Sequence, residues 1–215
     1  MIARWLDTAS PYAIEDSDAT GFTTNPLLVR SLNWHIHSEP ERDYLIWERD
    51  VLQAAAGRPI SIEVTATTLA EMETQAERIL ALGPNVLVKI PIQTPQGLPT
   101  AGLIRNLERV NATCCFTRAH MTQAVDAGAA ICSVFAGRIA DTGLDPAGLF
   151  GIWTKVHLPT RFLWASTREV YNIVQAEKAG ADIITLSPEL YEKANRMLGR
   201  DVAEYGLETV KEFCQ

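Results

Sequence analysis

The chain has 215 residues, 47% of them hydrophobic and 21% charged, a composition typical of a globular protein with one sizeable core. Its net charge is −7 and its basic residues form no cluster, so we expect neither nucleic acid nor a membrane as a partner. No apolar run reaches the ~18 residues of a membrane helix, and no signal peptide is expected. The four cysteines contain no C-x-x-C pair, which favours reduced thiols in a cytoplasmic protein.

Short segments of apolar and β-branched residues recur along the chain, as is typical of strands buried on both faces. Amphipathic stretches with helical spacing separate them. The eight predicted strands cover Ala3–Thr8, Gly21–Thr24, Ile60–Ala66, Val86–Ile92, Val110–Phe116, Ala130–Ala136, Phe162–Ser166 and Asp182–Leu186.

The intervening stretches carry helix signals. Thr68 and Glu71 are spaced as a capping box, and helical patterns also cover 117–127 and 167–179. Strand and helix alternate about eight times, which predicts an α/β fold: a single-domain (β/α)8 barrel over residues 1–215. A doubly wound open sheet is the competing architecture, but the first strand is followed by Asp7-Thr-Ala and not by a glycine-rich phosphate loop.

Chemistry in such a barrel takes place at the C-terminal ends of the strands. Each predicted strand ends on polar or charged side chains, which are therefore the candidate site residues. They are Asp7, Thr23, Thr24, Asn25, Glu63, Thr65, Lys89, Asn111, Thr113, Ser133, Arg138, Ser166, Arg168, Thr185 and Ser187.

Lys89 is the most unusual of these residues, because it lies inside an aliphatic strand. Side chains alternate along a strand, so Lys89 shares a face with Leu87 and Pro91 and is expected to point into the barrel. The ordinary explanation is a buried ion pair with Glu63, which would be costly to desolvate. The functional explanation is that burial lowers the pKa of Lys89, so that its neutral amine can form a Schiff base with a carbonyl.

The other candidates suit the same chemistry. Asp7 and Glu63 could move protons, with Thr113 positioning a water. The ordinary interpretations are that Asp7 is a helix N-cap and that Asn25 is part of a turn before Pro26. Arg138 and Arg168 with Ser166 could bind a phosphate, although single arginines are more often surface ion pairs. Taken together, the residues predict Schiff-base chemistry on a phosphorylated sugar, with no cofactor and no metal.

The motifs that carry these residues resemble those of the transaldolases, particularly the small subfamily that includes fructose-6-phosphate aldolase. The resemblance covers the chain from Trp5 to about Arg168, in the family's order. The matching segments are WLDTA, GFTTNP, IEVTAT, VLVKIPIQTPQG, NATCCFTRAHMTQA, SVFAGRI and WASTR.

The resemblance implies a class I aldol mechanism. Lys89, on the fourth strand, would be the Schiff-base residue and Asp7 the acid–base group for carbon–carbon cleavage, while Glu63 and Thr113 would hold and activate the water that relays protons. Asn25 and Asn111 would bind hydroxyls near Ser133, and the phosphate would lie against the arginines. The implied substrate-binding residues are Thr23, Asn25, Asn111, Ser133, Phe135, Arg138, Ser166 and Arg168.

Two positions bear on the type of reaction. Fructose-6-phosphate aldolases carry Gln and Tyr where this chain has Glu63 and Phe135, whereas transaldolases carry Glu and Phe. We therefore expect transfer of a dihydroxyacetone unit from a ketose phosphate, of the fructose 6-phosphate or sedoheptulose 7-phosphate type, to an aldose phosphate. Aldol cleavage is one alternative. A sulfonated or longer sugar is another, because Cys114-Cys115 and residues 33–47 depart from the family pattern.

Other classes of protein are weighed against this expectation. His35-x-His37, with His120 and His157, would be the basis of a metal-dependent aldolase, but two such histidines beside charged residues are usually a solvated segment. A non-enzymatic sugar-phosphate binder would not be expected to keep both Lys89 and Asp7. The resemblance also implies a homo-oligomer, a pentamer or decamer, in which the C-terminal helix at about 202–215 packs on a neighbouring subunit.

Overall fold

A computed structural model describes residues 2–32, 40–151 and 159–214. Eight parallel strands pair in chain order, and the last pairs with the first to close a barrel, so the predicted (β/α)8 fold is confirmed. All eight strands are one to three residues shorter than predicted: seven end earlier, where the chain turns into the loops above the barrel, and the last begins one residue later. The strands are β1 Ala3–Asp7, β2 Phe22–Thr23, β3 Ile60–Glu63, β4 Val86–Pro91, β5 Val110–Cys115, β6 Ile131–Val134, β7 Arg161–Trp164 and β8 Ile183–Leu186.

Helices follow the strands and cover the outside of the barrel. Those in the described part of the chain are α1 Pro11–Glu15, α2 Pro26–Ser31, α3 Pro40–Ala55, α4 Leu69–Leu80, α5 Ala101–Asn106, α6 Arg118–Asp126, α7 Ala136–Ala140, α8 Ala147–Phe150, α9 Tyr171–Ala179, α10 Pro188–Met197 and α11 Val202–Phe213.

The helix termini follow the sequence signals closely. The Thr68 hydroxyl accepts a hydrogen bond from the Glu71 N–H and donates one to the Glu71 carboxylate, which confirms the capping box. Helix α9 begins at Tyr171, four residues later than predicted, because the N–H groups of Arg168 and Glu169 donate to the Asn172 side chain. The residues after β7 are therefore a loop and can contribute to a site.

Side-chain alternation divides each strand between two environments. On β4, Val86, Val88 and Ile90 are fully buried in the large cluster between barrel and helices, as the sequence predicts. A smaller apolar cluster, separate from the large one, lies inside the barrel. It consists of Trp5, Ile131, Leu163, Ala165 and Ile183.

Gly21 makes room for the largest member of the inner cluster. A Cβ atom at this position would lie 2.4 Å from the Trp5 ring. We expect Gly21→Ala to lower the free energy of unfolding by about 1–3 kcal/mol, because the buried indole cannot move aside without strain. Denaturant unfolding followed by tryptophan fluorescence measures this effect. The matched control is Gly102→Ala, where a Cβ would meet nothing within 4 Å, and equal midpoints for the two variants would contradict the argument.

Helix α11 stands apart from the barrel core. None of its residues is buried, and Val202, Val210 and Phe213 expose more than half of their surface. The expected packing of this helix on a neighbouring subunit stays a prediction. Within the described residues, no helix has the length and apolarity required to cross a membrane.

Candidate active site

A cavity of about 520 Å³ opens at the C-terminal ends of the strands. Most of the candidate residues found in the sequence lie on its walls, because parallel strands in a closed barrel end on the same side. The predicted substrate-binding and catalytic residues on the wall are Asp7, Thr23, Asn25, Glu63, Lys89, Thr113, Ser133, Phe135, Arg138, Ser166 and Arg168.

Lys89 lies at the base of this cavity with its side chain only 6% exposed. Strands β3 and β4 pair with Glu63 opposite Lys89, and this register brings Nζ to 3.0 Å from a Glu63 carboxylate oxygen. Nζ also donates to the Thr24 carbonyl at 2.8 Å. Two of the three donors of the ammonium group are therefore paired with protein oxygens.

The charge of Lys89 differs from the sequence-based expectation. Burial lowers its pKa, as expected, but the carboxylates of Glu63 and Asp7 together outweigh burial, and the pKa of Lys89 is raised above its ordinary value. The expectation that burial leaves a neutral amine is therefore wrong for the free site. Lys89 rests as an ammonium and must lose a proton before it can attack a carbonyl, and Glu63 is within hydrogen-bond distance to accept it.

Asp7 ends β1 on the same wall. It is not the cap of α1, because Ser10 occupies that position. Burial raises the pKa of Asp7, while Lys89 and the Thr23 hydrogen bond lower it less strongly. The Thr23 hydroxyl donates to the Asp7 carboxylate at 2.6 Å and lies 2.7 Å from the Thr185 hydroxyl. Since Thr23 has one proton and gives it to Asp7, Thr185 must donate to Thr23. A carboxyl group with a raised pKa is suited to acid–base catalysis.

Thr113 and Cys114 both line the cavity although they are consecutive in a strand. Regular alternation would point them to opposite faces, but the β5–β6 register shifts here and Cys114 has φ +58. The buried Thr113 hydroxyl has no hydrogen-bond partner within the described structure. A buried group of this kind is suited to holding a water or a substrate oxygen. Burial raises the pKa of Cys114 to about 11, so this thiol stays protonated at neutral pH.

Asn111 is not among the described residues that line the cavity, and its role in binding hydroxyls stays a prediction. It is fully buried, donates to the Ser61 hydroxyl at 3.1 Å and accepts from the Ser133 hydroxyl at 2.7 Å. Asn111 therefore orients Ser133, which does line the cavity. Ser61 was missed by the sequence analysis, although it lies two residues before Glu63 and must share its inward face.

Asn25 is a helix cap, and its binding of a substrate hydroxyl stays a prediction. Its side-chain oxygen accepts from the N–H groups of Leu27 and Leu28 at 3.0 Å and caps helix α2, as a turn-forming Asn before Pro26 would. The same residue lines the cavity. The cap holds the amide in one orientation beside the strand ends.

The cationic side of the cavity is formed by the ends of β6 and β7. Gly137 allows these segments to approach, because a Cβ there would lie 1.6 Å from the Ser166 carbonyl oxygen. Ser166 itself has φ +63. Arg168 pairs with Asp141 at 2.7 Å, and both side chains are about half exposed, so the ordinary interpretation of this arginine as a surface ion pair applies in the free site. Arg138 stands over the Phe135 ring at 5.8 Å from its centroid.

Several wall residues were not found in the sequence. Arg30 was missed because it lies inside helix α2 and not at a strand end, and Leu27 and Phe116 because apolar residues carry no chemical signal. Among the described residues, no group of three or more His, Cys, Asp or Glu side chains could hold a metal ion. His35, His37 and His157 lie outside the described residues.

The chain is similar over most of its length to the proteins of one family. The profile of the family described as Transaldolase/Fructose-6-phosphate aldolase matches residues 4–213. A protein named "Probable transaldolase" from Paracoccus denitrificans is 32% identical over 90% of this chain and 89% of its own, and one of the same name from Mesorhizobium japonicum is 36% identical over 78% and 75%.

A solved thiamine phosphate pyrophosphorylase from Pyrococcus furiosus superposes with a TM-score of 0.60 over 91% of this chain and 94% of its own, at 11% identity. That likeness concerns the barrel fold alone, because proteins with this fold carry out many unrelated reactions. The family profile and the relatives go further: this chain belongs to the transaldolase/fructose-6-phosphate aldolase family and is an enzyme of the transaldolase type.

Proposed function

We propose that this enzyme is a class I transaldolase, which moves a dihydroxyacetone unit from a ketose phosphate to an aldose phosphate through a Schiff base on Lys89. Fructose 6-phosphate and sedoheptulose 7-phosphate are the donor types. The observation that carries the proposal is the position of Lys89 Nζ, at the base of the cavity and 3.0 Å from Glu63. Class I aldol chemistry requires an amine with a proton acceptor in reach.

The first step is formation of the Schiff base. Lys89 gives one ammonium proton to Glu63, and the neutral amine attacks C2 of the ketose. The resulting carbinolamine loses its hydroxyl as water, with a proton returned by Glu63 through a water bound to Thr113. The unpartnered Thr113 hydroxyl supports this assignment, because a buried hydroxyl is stabilised by such a water.

The second step breaks a carbon–carbon bond. The Asp7 carboxylate takes the proton of the C4 hydroxyl, the C3–C4 bond breaks, and its electrons pass into the iminium to leave an enamine on Lys89. The aldose phosphate departs. When an acceptor aldose binds, the enamine attacks its aldehyde carbon and Asp7 returns the proton to the new hydroxyl. Hydrolysis releases the product ketose and Lys89.

The remaining wall residues bind the sugar. Ser133, oriented by Asn111, can bind a hydroxyl of the three-carbon unit, with Asn25 beside it. Arg138, Arg168 and Ser166 supply the phosphate site. Arg168 is half exposed and paired to Asp141 in the free site, and such a surface pair is weak enough for a phosphate to compete with the carboxylate.

Transfer is favoured over simple cleavage by two phenylalanine rings on the cavity wall. Phe116 and Phe135 form a tilted pair of rings with centroids 5.5 Å apart, and both line the cavity. Phe135 has no hydroxyl to deliver a proton to the enamine, and the apolar pair limits the entry of water. The enamine then survives until an acceptor arrives.

Borohydride trapping tests the proposed intermediate. The protein is incubated with fructose 6-phosphate, reduced, and its intact mass measured before peptide mapping. We expect a single adduct, and we expect it on Lys89, with none in Lys89→Met. Lys178→Met is the matched control, because Lys178 lies on α9 away from the cavity, and it should still label. Absence of an adduct with fructose 6-phosphate and sedoheptulose 7-phosphate alike would overturn the proposal.

A further inference from the structure

Asp141 contacts Arg168 at the edge of the active-site cavity. It follows helix α7, and its N–H donates to the Gly137 carbonyl at 2.9 Å. Its carboxylate accepts from Arg168, with Nη2 at 2.7 Å from one oxygen and Nε at 3.4 Å from the other. Arg168 lines the cavity, whereas Asp141 is not among the described residues that do so. The carboxylate therefore binds a guanidinium that faces the proposed phosphate site.

This contact occupies one of the two edges through which a guanidinium can bind two oxygens at once. Asp141 uses the Nε–Nη2 edge and leaves the Nη1–Nη2 edge. Pairs between arginine and phosphate are strongest when they are bidentate. A phosphate that binds Arg168 through the Nε–Nη2 edge must first displace the carboxylate.

Asp141 is ionised at neutral pH beside both arginines of the proposed phosphate site. The hydrogen bond from Arg168 lowers the pKa of its carboxyl group, and the charge of Arg138 lowers this pKa further. A negative charge here weakens the attraction of the two arginines for an anion. Because the Coulomb energy is proportional to the charge of the ligand, a phosphate dianion loses more attraction than a monoanion, and a neutral sugar loses none.

The loop that carries Arg168 is held in place without Asp141. The Asn172 side-chain oxygen accepts from the N–H groups of Arg168 and Glu169, at 2.8 and 3.2 Å. These hydrogen bonds fix the backbone on both sides of the arginine Cα. The effect of Asp141 is therefore on the guanidinium and its charge.

We propose that Asp141 is a specificity-determining residue that competes with the substrate phosphate for Arg168, and so weakens the preference for phosphorylated over neutral sugars. This inference rests on the proposed function, which takes Arg138 and Arg168 as the phosphate site. Transfer requires that one aldose phosphate leaves before another binds. A carboxylate that pairs with Arg168 again promotes the departure of the first.

Asp141→Asn tests the competition, because it keeps the shape of the side chain and removes its charge. We expect KM for fructose 6-phosphate to fall about 2- to 10-fold, in keeping with the modest strength of an exposed ion pair. Thermal-shift titration at pH 8 compares methyl phosphate, which is close to a dianion at this pH, with the monoanion methanesulfonate. The Kd of methyl phosphate should fall by the larger factor, and both gains in affinity should shrink as salt is added.

Two further variants show whether the effect passes through Arg168. Glu169→Gln is the matched control, because it removes an exposed carboxylate next to Arg168 in the chain, and it should leave both Kd values at those of the wild type. In the Arg168→Gln background, Asp141→Asn should have a much smaller effect on the Kd of methyl phosphate than it has in the wild type.

Three results would overturn the role of Asp141. One is a higher KM in Asp141→Asn, which would mean that the carboxylate positions Arg168 for the phosphate. The others are an equal gain in affinity in Glu169→Gln and an undiminished gain in the Arg168→Gln background. Thermal-shift titration requires no turnover. Unchanged binding of methyl phosphate in Asp141→Asn therefore refutes this inference alone, whereas the absence of a borohydride adduct refutes the proposed function.

Discussion

Lys89→Met is expected to abolish transfer, with kcat lower by about 10⁴-fold or more, because the covalent route that divides the reaction into easier steps is lost. The same substitution should also destabilise the protein. It leaves Glu63, only 12% exposed, and Asp7 without their cation. Removing one partner of a buried pair typically costs about 3–5 kcal/mol.

The destabilisation should depend on pH in a defined direction. In the wild type the pKa of Lys89 is raised, so the stabilisation from its charge is fully present below its ordinary value of 10.5 and is lost only above it. In Lys89→Met the pKa of Asp7, already raised by burial, rises further. A carboxyl group whose pKa is raised on folding stabilises the folded protein at low pH. This stabilisation is lost as the pH increases through its folded-state pKa. The variant should therefore be closer to wild type at pH 5 than at pH 8.

Urea unfolding at pH 5 and pH 8 measures this difference. Lys89→Met/Glu63→Gln is the matched variant, because it removes one of the two stranded carboxylates and should recover part of the stability at pH 8. A loss of stability in Lys89→Met that is the same at both pH values would contradict the electrostatic description of the site. Activity and stability are thus separate readouts of the same buried amine.

Asp7→Asn is expected to lower kcat by about 10²- to 10⁴-fold, the usual range for a general acid–base group. Asp7 must be ionised to accept the C4 proton, so its pKa should set the acid limb of the kcat/KM profile. Burial raises that pKa and the Thr23 hydrogen bond lowers it. Thr23→Val removes the hydrogen bond at 2.6 Å, and the acid limb should move to higher pH.

Thr185→Val provides a graded control for this shift. Thr185 contacts the Thr23 hydroxyl at 2.7 Å and strengthens its hydrogen bond to Asp7 without touching the carboxylate, since linked hydrogen bonds polarise one another. The acid limb should therefore move in the same direction as in Thr23→Val, by a smaller amount. If the acid limb of the kcat/KM profile moves to lower pH in Thr23→Val, or stays in place, a group other than Asp7 controls it.

The raised pKa of Lys89 determines the protonation state of the site before the substrate binds. A depressed pKa would provide a ready nucleophile but would leave two buried carboxylates without a partner. The raised pKa instead keeps Lys89 as an ammonium paired with Glu63 until the substrate enters, at the cost of one proton transfer to Glu63. That transfer crosses a single 3.0 Å contact, so it requires no rearrangement of the barrel.

Local patterns in the sequence were sufficient to predict the barrel and most of the residues on the cavity wall. Strand and helix alternate in residue type, Thr68 and Glu71 form the predicted cap, and side-chain alternation alone turns Lys89 inward. These features depend on neighbours a few residues apart. Because all strands end on one side of the barrel, the polar residues at their ends could be grouped without knowing any distance.

Features of the site that depend on contacts between distant strands could be found only in the tertiary structure. The pKa of Lys89 rises because the β3–β4 register places Glu63 beside it and because Asp7 arrives from β1. Asn111 is buried behind Ser133 by a hydrogen bond between β5 and β6. The position of Arg30 on the cavity wall depends on how α2 packs beside the strand ends. No periodicity encodes such contacts, since they join residues far apart in the chain whose proximity is set by barrel closure.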